Sequence, residues 1–413
     1  MKRKVCGVSC FLFLLGLVLG GCGDVSLLDE IPRDFVLTES VKSEMPEQSA
    51  PVETGEGAED KESYCFLEDS AFEYAAQGLG GQELLWYEEI RDILGSFGEN
   101  AMLDENGIGA GLDERDIDRI FQYVLSDHPE LFYVEGYSYT KYTKGEETVS
   151  FEFTGTYSVD AETAKARREE ISAEAARMLG NIGEGWDDYA KVKAVYEAVI
   201  FETDYDRNAP ENQNIYSVFV NHRSVCQGYA KATQYLLNRL GVECTLVTGT
   251  VETGETHAWN LVRVDGAYYY LDTTWGDASY SLNDEAALTA DRPQINYDYL
   301  NVTTQELLRT HTPSVSVELP VCEATDANYY VREGAFFSDF DKEQLKAVFE
   351  QAKEQGRDAV ALKCSDEECY RQMLDRLIGG QEIFLYMDTA SGGTVAYTQN
   401  DSQMSLSFWV TNE

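Results

Sequence analysis

Apolar residues between positions 80 and 130 recur at helical spacing, with Leu85, Ile90, Ile93, Leu94 and Phe97 in one set and Ile117, Ile120, Phe121, Val124 and Leu125 in another. Each set predicts an amphipathic helix with one buried face. Alternation then takes over and predicts a hairpin, with strands near Tyr137–Tyr142 and Thr148–Phe153 joined through Lys144-Gly145-Glu146-Glu147. Helices follow at roughly Ala161–Leu179 and Asp187–Ile200, the second burying Val192, Val195, Tyr196 and Val199. A further helix runs through Leu236, Leu237 and Leu240 to Gly241; before it, Ser224 and Gln227 stand three apart, the spacing of a capping box with Ser224 at the N-cap. The runs His257–Val264 and Ala267–Asp272 flank Asp265-Gly266, the strongest short signal for a hairpin. Beyond Thr312 the pattern reads strand Tyr329–Phe337, helix Lys342–Gln355, strand Asp358–Lys363, helix Glu367–Ile378, strand Glu382–Met387 and strand material from Thr394 to Val410. That alternation predicts a separate small α/β domain for packing or partner contact, and the chain as a whole reads as α+β.

The two ends of the first 65 residues change the picture. Lys2, Arg3 and Lys4 precede an apolar run from Val5 to Val18, which then meets Leu19-Gly20-Gly21-Cys22. This is the three-part form of a secretory signal, and the run is too short for a membrane span. The small-small-Cys ending resembles a bacterial lipoprotein lipobox, which implies lipidation at Cys22, a membrane anchor through its acyl chains and an extracytoplasmic location. From Gly23 to about residue 65 the chain is acidic and poor in large apolar residues, with Pro46 and Pro51 interspersed, and reads as a disordered tether. The expected organisation is therefore signal and lipobox 1–22, tether 23–65, a mainly helical region with a hairpin 66–184, a core domain 185–312 and the small α/β domain 313–413.

A formal charge of −42 over 413 residues makes nucleic acid and anionic headgroups poor partners. Once Cys6, Cys10 and Cys22 are set aside, Cys65, Cys226, Cys244, Cys322, Cys364 and Cys369 remain, too scattered for a disulfide framework. Cys364 and Cys369 alone are close enough in sequence for a local bridge. The segment Asp104–Gly109 superficially suggests a calcium loop, but Ile108 and Arg115 occupy ligand positions, so calcium is rejected there.

Cys226 falls in the first turn of its helix, where unsatisfied N–H groups and the positive end of the dipole favour a thiolate and can receive an oxyanion. A base must come from only four histidines, His128, His222, His257 and His311. His128 precedes Pro129 at a helix end and His311 lies beyond the core strands, so both read as caps or surface residues, and His222 as a poorly held base. A two-residue loop at Asp265-Gly266 sets Val264 opposite Ala267 and Trp259 opposite Asp272. His257 and Asp272 then become diagonal neighbours on one face. Cys226, His257 and Asp272 thus take the roles of nucleophile, base and orienting acid.

Val225-Cys226-Gln227-Gly228-Tyr229-Ala230, His257-Ala258-Trp259-Asn260 and Tyr269 to Asp277 together resemble the bacterial transglutaminase-like superfamily over about residues 185–312, with Asp204-Tyr205 before the cysteine and Asn296 to Tyr299 after the aspartate. The resemblance implies a papain-like core, a Cys-bearing helix packed on an antiparallel sheet, with Gln227, Trp259 and Trp275 in substrate-binding or supporting roles. It implies thioester chemistry on a protein or peptide substrate, cell-wall peptide included, by a peptidase, amidase or acyl transferase. No metal or cofactor is expected, and a metal site of Cys226, Cys244 and His257 lacks close ligand pairs. The alternative is a catalytically silent envelope protein of the same fold that binds peptides or cell-wall material. Gln213, Asn214 and Tyr216 are the upstream region for a second oxyanion donor, with none singled out.

Overall fold

The computed structural model describes the backbone of residues 5–7 and 36–42 and, in full, residues 72–183, 185–278, 295–314, 317–387 and 394–411. Two short strands come first, β1 (Val5–Gly7) and β2 (Val36–Lys42). The first helical set forms α1 (Gln82–Gly95); β3 (Ala101–Met102) and the short α2 (Glu105–Gly109) lead to the second, α3 (Glu114–Asp127). The hairpin is longer than its apolar alternation suggests: β4 (Val134–Lys144) and β5 (Glu147–Tyr157) extend through Thr, Ser and Tyr residues that also suit a pleated surface. It forms the middle of a sheet ordered β2-β4-β5-β3. The tether reading therefore needs correction at Val36–Lys42, which pairs in parallel with Gly136–Tyr142. Val36, Thr38 and Val41 supply β-branched residues that the acidic composition of the segment masks. The rest of 23–65, like Cys22, lies outside the described residues.

α4 (Ala161–Leu179) and α5 (Asp188–Glu202) start where Asp160 and Asp187 accept the N–H groups of Thr163 and Ala190, each at 2.8 Å. The core follows: β6 (Asp204–Tyr205), α6 (Ile215–Phe219), β7 (Arg223–Ser224), α7 (Cys226–Arg239), β8 (Cys244–Val251), β9 (Thr256–Val264), β10 (Ala267–Leu271), α8 (Thr273–Gly276), β11 (Leu300–Val302), α9 (Thr304–Leu307) and β12 (His311–Pro313). Its sheet runs β11-β10-β9-β8-β12 with every pair antiparallel. α7 lies across it, tied by the Asn260 side-chain amide donating to the Ala230 carbonyl at 2.9 Å. The α+β class and the cysteine helix on an antiparallel sheet stand as expected.

The last hundred residues contain α10 (Tyr329–Arg332), β13 (Phe336–Phe337), α11 (Lys342–Glu354), β14 (Ala359–Cys364), α12 (Glu367–Met373), β15 (Thr394–Asn400) and β16 (Ser405–Thr411), in a sheet ordered β1-β15-β16-β14-β13. Two expected strands are corrected. Tyr329 opens a helical turn because the Asn328 side chain caps Tyr330 N–H at 3.1 Å. Glu382–Leu385 coils because Gln381 has φ 57° and Arg376 clamps Glu382 at 3.0 and 2.9 Å. Cys364 and Cys369 are free thiols, not a bridge. One contiguous apolar cluster runs from Phe121 through Leu236 to Phe408, so this region shares its core with the rest of the chain.

Candidate active site

The head of α7 is shaped by a loop, not by a side-chain cap. Val225 is the extended N-cap and no side chain caps the helix. This corrects the capping-box expectation. The Ser224 hydroxyl instead donates to the Asn212 carbonyl at 2.6 Å and meets the Ser217 hydroxyl at 2.7 Å, while Val225 N–H donates to the same carbonyl at 3.1 Å. Gly228 makes this close approach possible, since a Cβ there would lie 2.0 Å from Ser224 Oγ and 3.1 Å from Asn212 O. Cys226 becomes the first residue of the helix, a half-buried free thiol beside orphan N–H groups.

The hairpin register is the one the turn dictates. Asp265 and Gly266 have φ of 50° and 86°, and Val264 pairs with Ala267, Leu261 with Tyr270 and Asn260 with Leu271. His257 and Asp272 accordingly meet, Nε2 to Oδ2, at 2.8 Å. The other oxygen of Asp272 caps α8 by accepting from Thr274 N–H at 2.9 Å and Trp275 N–H at 3.0 Å. Burial lowers the proton affinity of His257, but the Asp272 carboxylate and contact with Cys226 outweigh it and hold the imidazole up at about 10. Burial pushes the Asp272 carboxyl up, and it is nonetheless held well below the usual carboxylate range by the His257 charge and by hydrogen bonds from two histidines. His257 is therefore an imidazolium at neutral pH, placed between sulfur and carboxylate.

The second of those histidines is His311, which corrects its reading as a surface residue: it is 1% exposed, and its Nε2 reaches Asp272 Oδ2 at 3.0 Å. β12 brings it there by pairing with β8, His311 opposite Val251 and Pro313 opposite Gly249. A Cβ on Gly249 would lie 2.2 Å from the Thr312 carbonyl, so a glycine is what lets β12 close. Behind His311 a hydrogen-bonded chain continues from Nδ1 to the Thr310 hydroxyl at 2.8 Å, to the Tyr299 hydroxyl at 2.9 Å and to the Gln403 amide at 3.3 Å. Trp259 and Trp275 wall both imidazoles, with ring centroids 5.9 and 6.0 Å from His257 and 5.0 and 4.6 Å from His311. Such walls keep water from the ion pair and strengthen it.

The remaining candidates separate cleanly. His128 caps α3 at its C-terminus as expected, but it is buried and bonded to Glu130 at 2.7 Å. His222 is exposed and held by the Glu202 carbonyl, away from Cys226. Asn214 caps α6 through its Oδ1, which accepts from the N–H groups of Tyr216 and Ser217, and the Tyr216 hydroxyl donates to Glu170 at 2.9 Å, which removes the tyrosine side chain as an oxyanion donor. Gln213 and Gln227 line a cavity beside the head of α7. Cys244 lies in the apolar core facing Val262 and joins no ligand group among the described residues. Donor atoms of His257, Asp272 and His311 do lie within 4.8 Å of one another. Those atoms already satisfy one another as N–H donors and a carboxylate acceptor, an arrangement suited to proton transfer rather than to a cation, whose binding would require both Nε2 atoms deprotonated.

Residues 177–273 match the model of the transglutaminase-like superfamily core, so the chain carries a transglutaminase-like core domain. Over 109 residues it is 26% identical to the kyphoscoliosis peptidases of Mus musculus and Homo sapiens, an alignment covering 22% of this chain and 16% of each relative. The chain thus spans about a sixth of the length of the curated relatives it matches. Among solved structures it is similar to a TGase (14% identity, TM-score 0.25, 39% of this chain and 53% of that chain) and to the periplasmic domain of TgpA from Pseudomonas aeruginosa (14%, TM-score 0.20, 32% and 58%).

Proposed function

We propose that the chain is an extracytoplasmic cysteine enzyme, lipid-anchored at Cys22, that cleaves or transfers acyl groups at peptide or amide bonds through a Cys226 thioester. The observation that carries this reading is the buried His257, bonded at 2.8 Å to an Asp272 that His311 and two backbone N–H groups saturate, and in contact with Cys226 at the head of α7. The Cys226 thiolate attacks the acyl carbon, forming C–S while the carbonyl oxygen takes up charge facing the N–H groups at the head of α7. His257 gives its proton to the leaving nitrogen as the C–N bond breaks, leaving a thioester and a neutral imidazole that Asp272 keeps oriented. A water or an amine then loses its proton to His257 and attacks the thioester, and Cys226 departs as thiolate. Removing the signal also removes β1, so the mature sheet would end at β15. No helix among the described residues is long and apolar enough to cross a membrane.

The test is alkylation of Cys226 by iodoacetamide in the mature chain at pH 6, read by mass spectrometry of the labelled peptide. Cys244, Cys322, Cys364 and Cys369 are buried and give little background. We expect wild type to react about tenfold or more faster than His257→Ala, because the imidazole beside Cys226 is the base that activates the sulfur. A rate indifferent to His257→Ala and Asp272→Ala would sink the catalytic reading and favour a peptide-binding protein of the same fold.

A further inference from the structure

The head of α7 borders a cavity of about 280 Å³ closed by the 211–214 loop and the segment that follows α3. Gln227 and Lys231 stand one helical turn apart on α7 and both line it, beginning one residue after the nucleophile. The loop opposite is the one whose Asn212 carbonyl holds Ser224 and Val225. One pair of segments therefore shapes both the cysteine turn and the cavity wall.

The cavity's charges are unevenly matched. His128 is answered by Glu130 at 2.7 Å, and Glu211 by Arg167 at 2.9 and 3.0 Å. Glu135 is exposed at the rim. Lys231 has no hydrogen-bond or ion-pair partner among the described residues, and burial alone moves its ammonium down to about 8. Lys231 is half-buried, and an ammonium partly withdrawn from water without a partner carries a cost that a carboxylate beside it would offset. The rest of the lining supplies apolar surface from Leu131 and Phe132 and amides from Gln213 and Gln227. In a chain of net charge −42, an unpaired cation in a cavity whose lining begins one residue after the nucleophile is suited to receive something acidic.

We propose that this cavity is a substrate subsite for a carboxylate-bearing residue of a peptide, with Lys231 as the group that recognises it. The assignment rests on the reading of Cys226 as the reacting thiol, and it names the class of substrate. The probes are matched dipeptidyl chloromethyl ketones with blocked amino ends, differing only in Glu or Gln at the first or second residue from the ketone, and the readout is the rate of Cys226 labelling at pH 7. In wild type one Glu reagent should outpace its Gln partner by about tenfold, the scale of one charge-assisted hydrogen bond. Lys231→Met should bring the ratio near unity, and Lys231→Arg should keep part of it. The Gln reagent is the internal reference in each variant, so slow folding or partial loss of protein does not alter the ratio. Equal rates in wild type, or a Glu preference that survives Lys231→Met, would overturn the assignment. Failure of the catalytic reading registers separately, as iodoacetamide labelling indifferent to His257→Ala, because chloromethyl ketones also label an ordinary thiol and the Glu to Gln ratio is still read.

Discussion

Asp272 accepts four hydrogen bonds while 1% exposed, two from the backbone of α8 and two from imidazoles. A buried carboxylate so fully satisfied stays ionised and fixes its partners in place. His257 carries the consequence for stability. Its ordinary value is 6.5 and its folded value about 10, so across that interval the folded chain binds the proton and the unfolded chain does not. Stability from this group is therefore complete below pH 6.5, declines as the pH rises and is gone above about 10. Urea unfolding of wild type and His257→Gln between pH 6 and 10.5 checks it: the wild-type advantage should shrink steadily with rising pH, and a constant or growing advantage would contradict the sign. The pairing of His257 with Asp272 was legible in the sequence because Asp265-Gly266 permits positive φ at two successive residues, which pins the register of everything outward. His311 was not legible. Its strand is three residues long, and its pairing with β8 is a long-range contact to which no local pattern points.

Elements, rather than single residues, decide whether that second imidazole arrives. β12 closes on β8 only because Gly249 has no side chain, since a Cβ would lie 2.2 Å from the Thr312 carbonyl and 2.7 Å from the Trp259 ring. Gly249→Ala should therefore push β12 off the sheet edge and withdraw His311 from Asp272, reproducing His311→Phe. Both variants should slow Cys226 alkylation at pH 6 by several-fold to about tenfold and, being overpacked or missing a polar contact, lose about 1–3 kcal/mol of stability. If Gly249→Ala lowers stability while alkylation stays at the wild-type rate, β12 is not what delivers the histidine. Elsewhere the elements show where a local motif yields to its surroundings. Ser224 and Gln227 have capping-box spacing, yet the Asn212 carbonyl at 2.6 Å and the Ser217 hydroxyl take the serine, and Val225 becomes the cap. Cys226 still heads the helix, so the expected placement near orphan N–H groups survives a wrong account of how it arises.

Over the whole molecule, the C-terminal region joins the site through buried polar contacts as well as through the shared apolar cluster. Gln403 donates to Tyr299 at 3.3 Å and to the Glu306 carbonyl at 3.1 Å, Asn400 donates to Asp298 at 2.8 Å, and Lys363, 1% exposed, pairs with Glu306 at 2.7 Å. Composition and periodicity divide the chain near residue 313, because they register each segment's local pattern and not the long-range partners of buried polar groups. Glu306 is the joint: it caps α9 by accepting from Thr303, it answers Lys363, and its carboxyl is lowered because the lysine charge outweighs burial. Breaking a buried pair from one side leaves the other charge uncompensated, at about 3–5 kcal/mol. Lys363→Ala should thus lower the urea midpoint of the entire chain in one transition, followed in parallel by far-ultraviolet circular dichroism and by tryptophan fluorescence from Trp409 near the C-terminus and Trp259 and Trp275 beside the triad. The same variant should slow Cys226 alkylation, since Gln403, Tyr299 and Thr310 lead from that joint to His311. Two separate transitions, with the fluorescence of a Trp409→Phe chain unaffected by Lys363→Ala, would instead make the C-terminal region an independent module and detach it from the chemistry at Cys226.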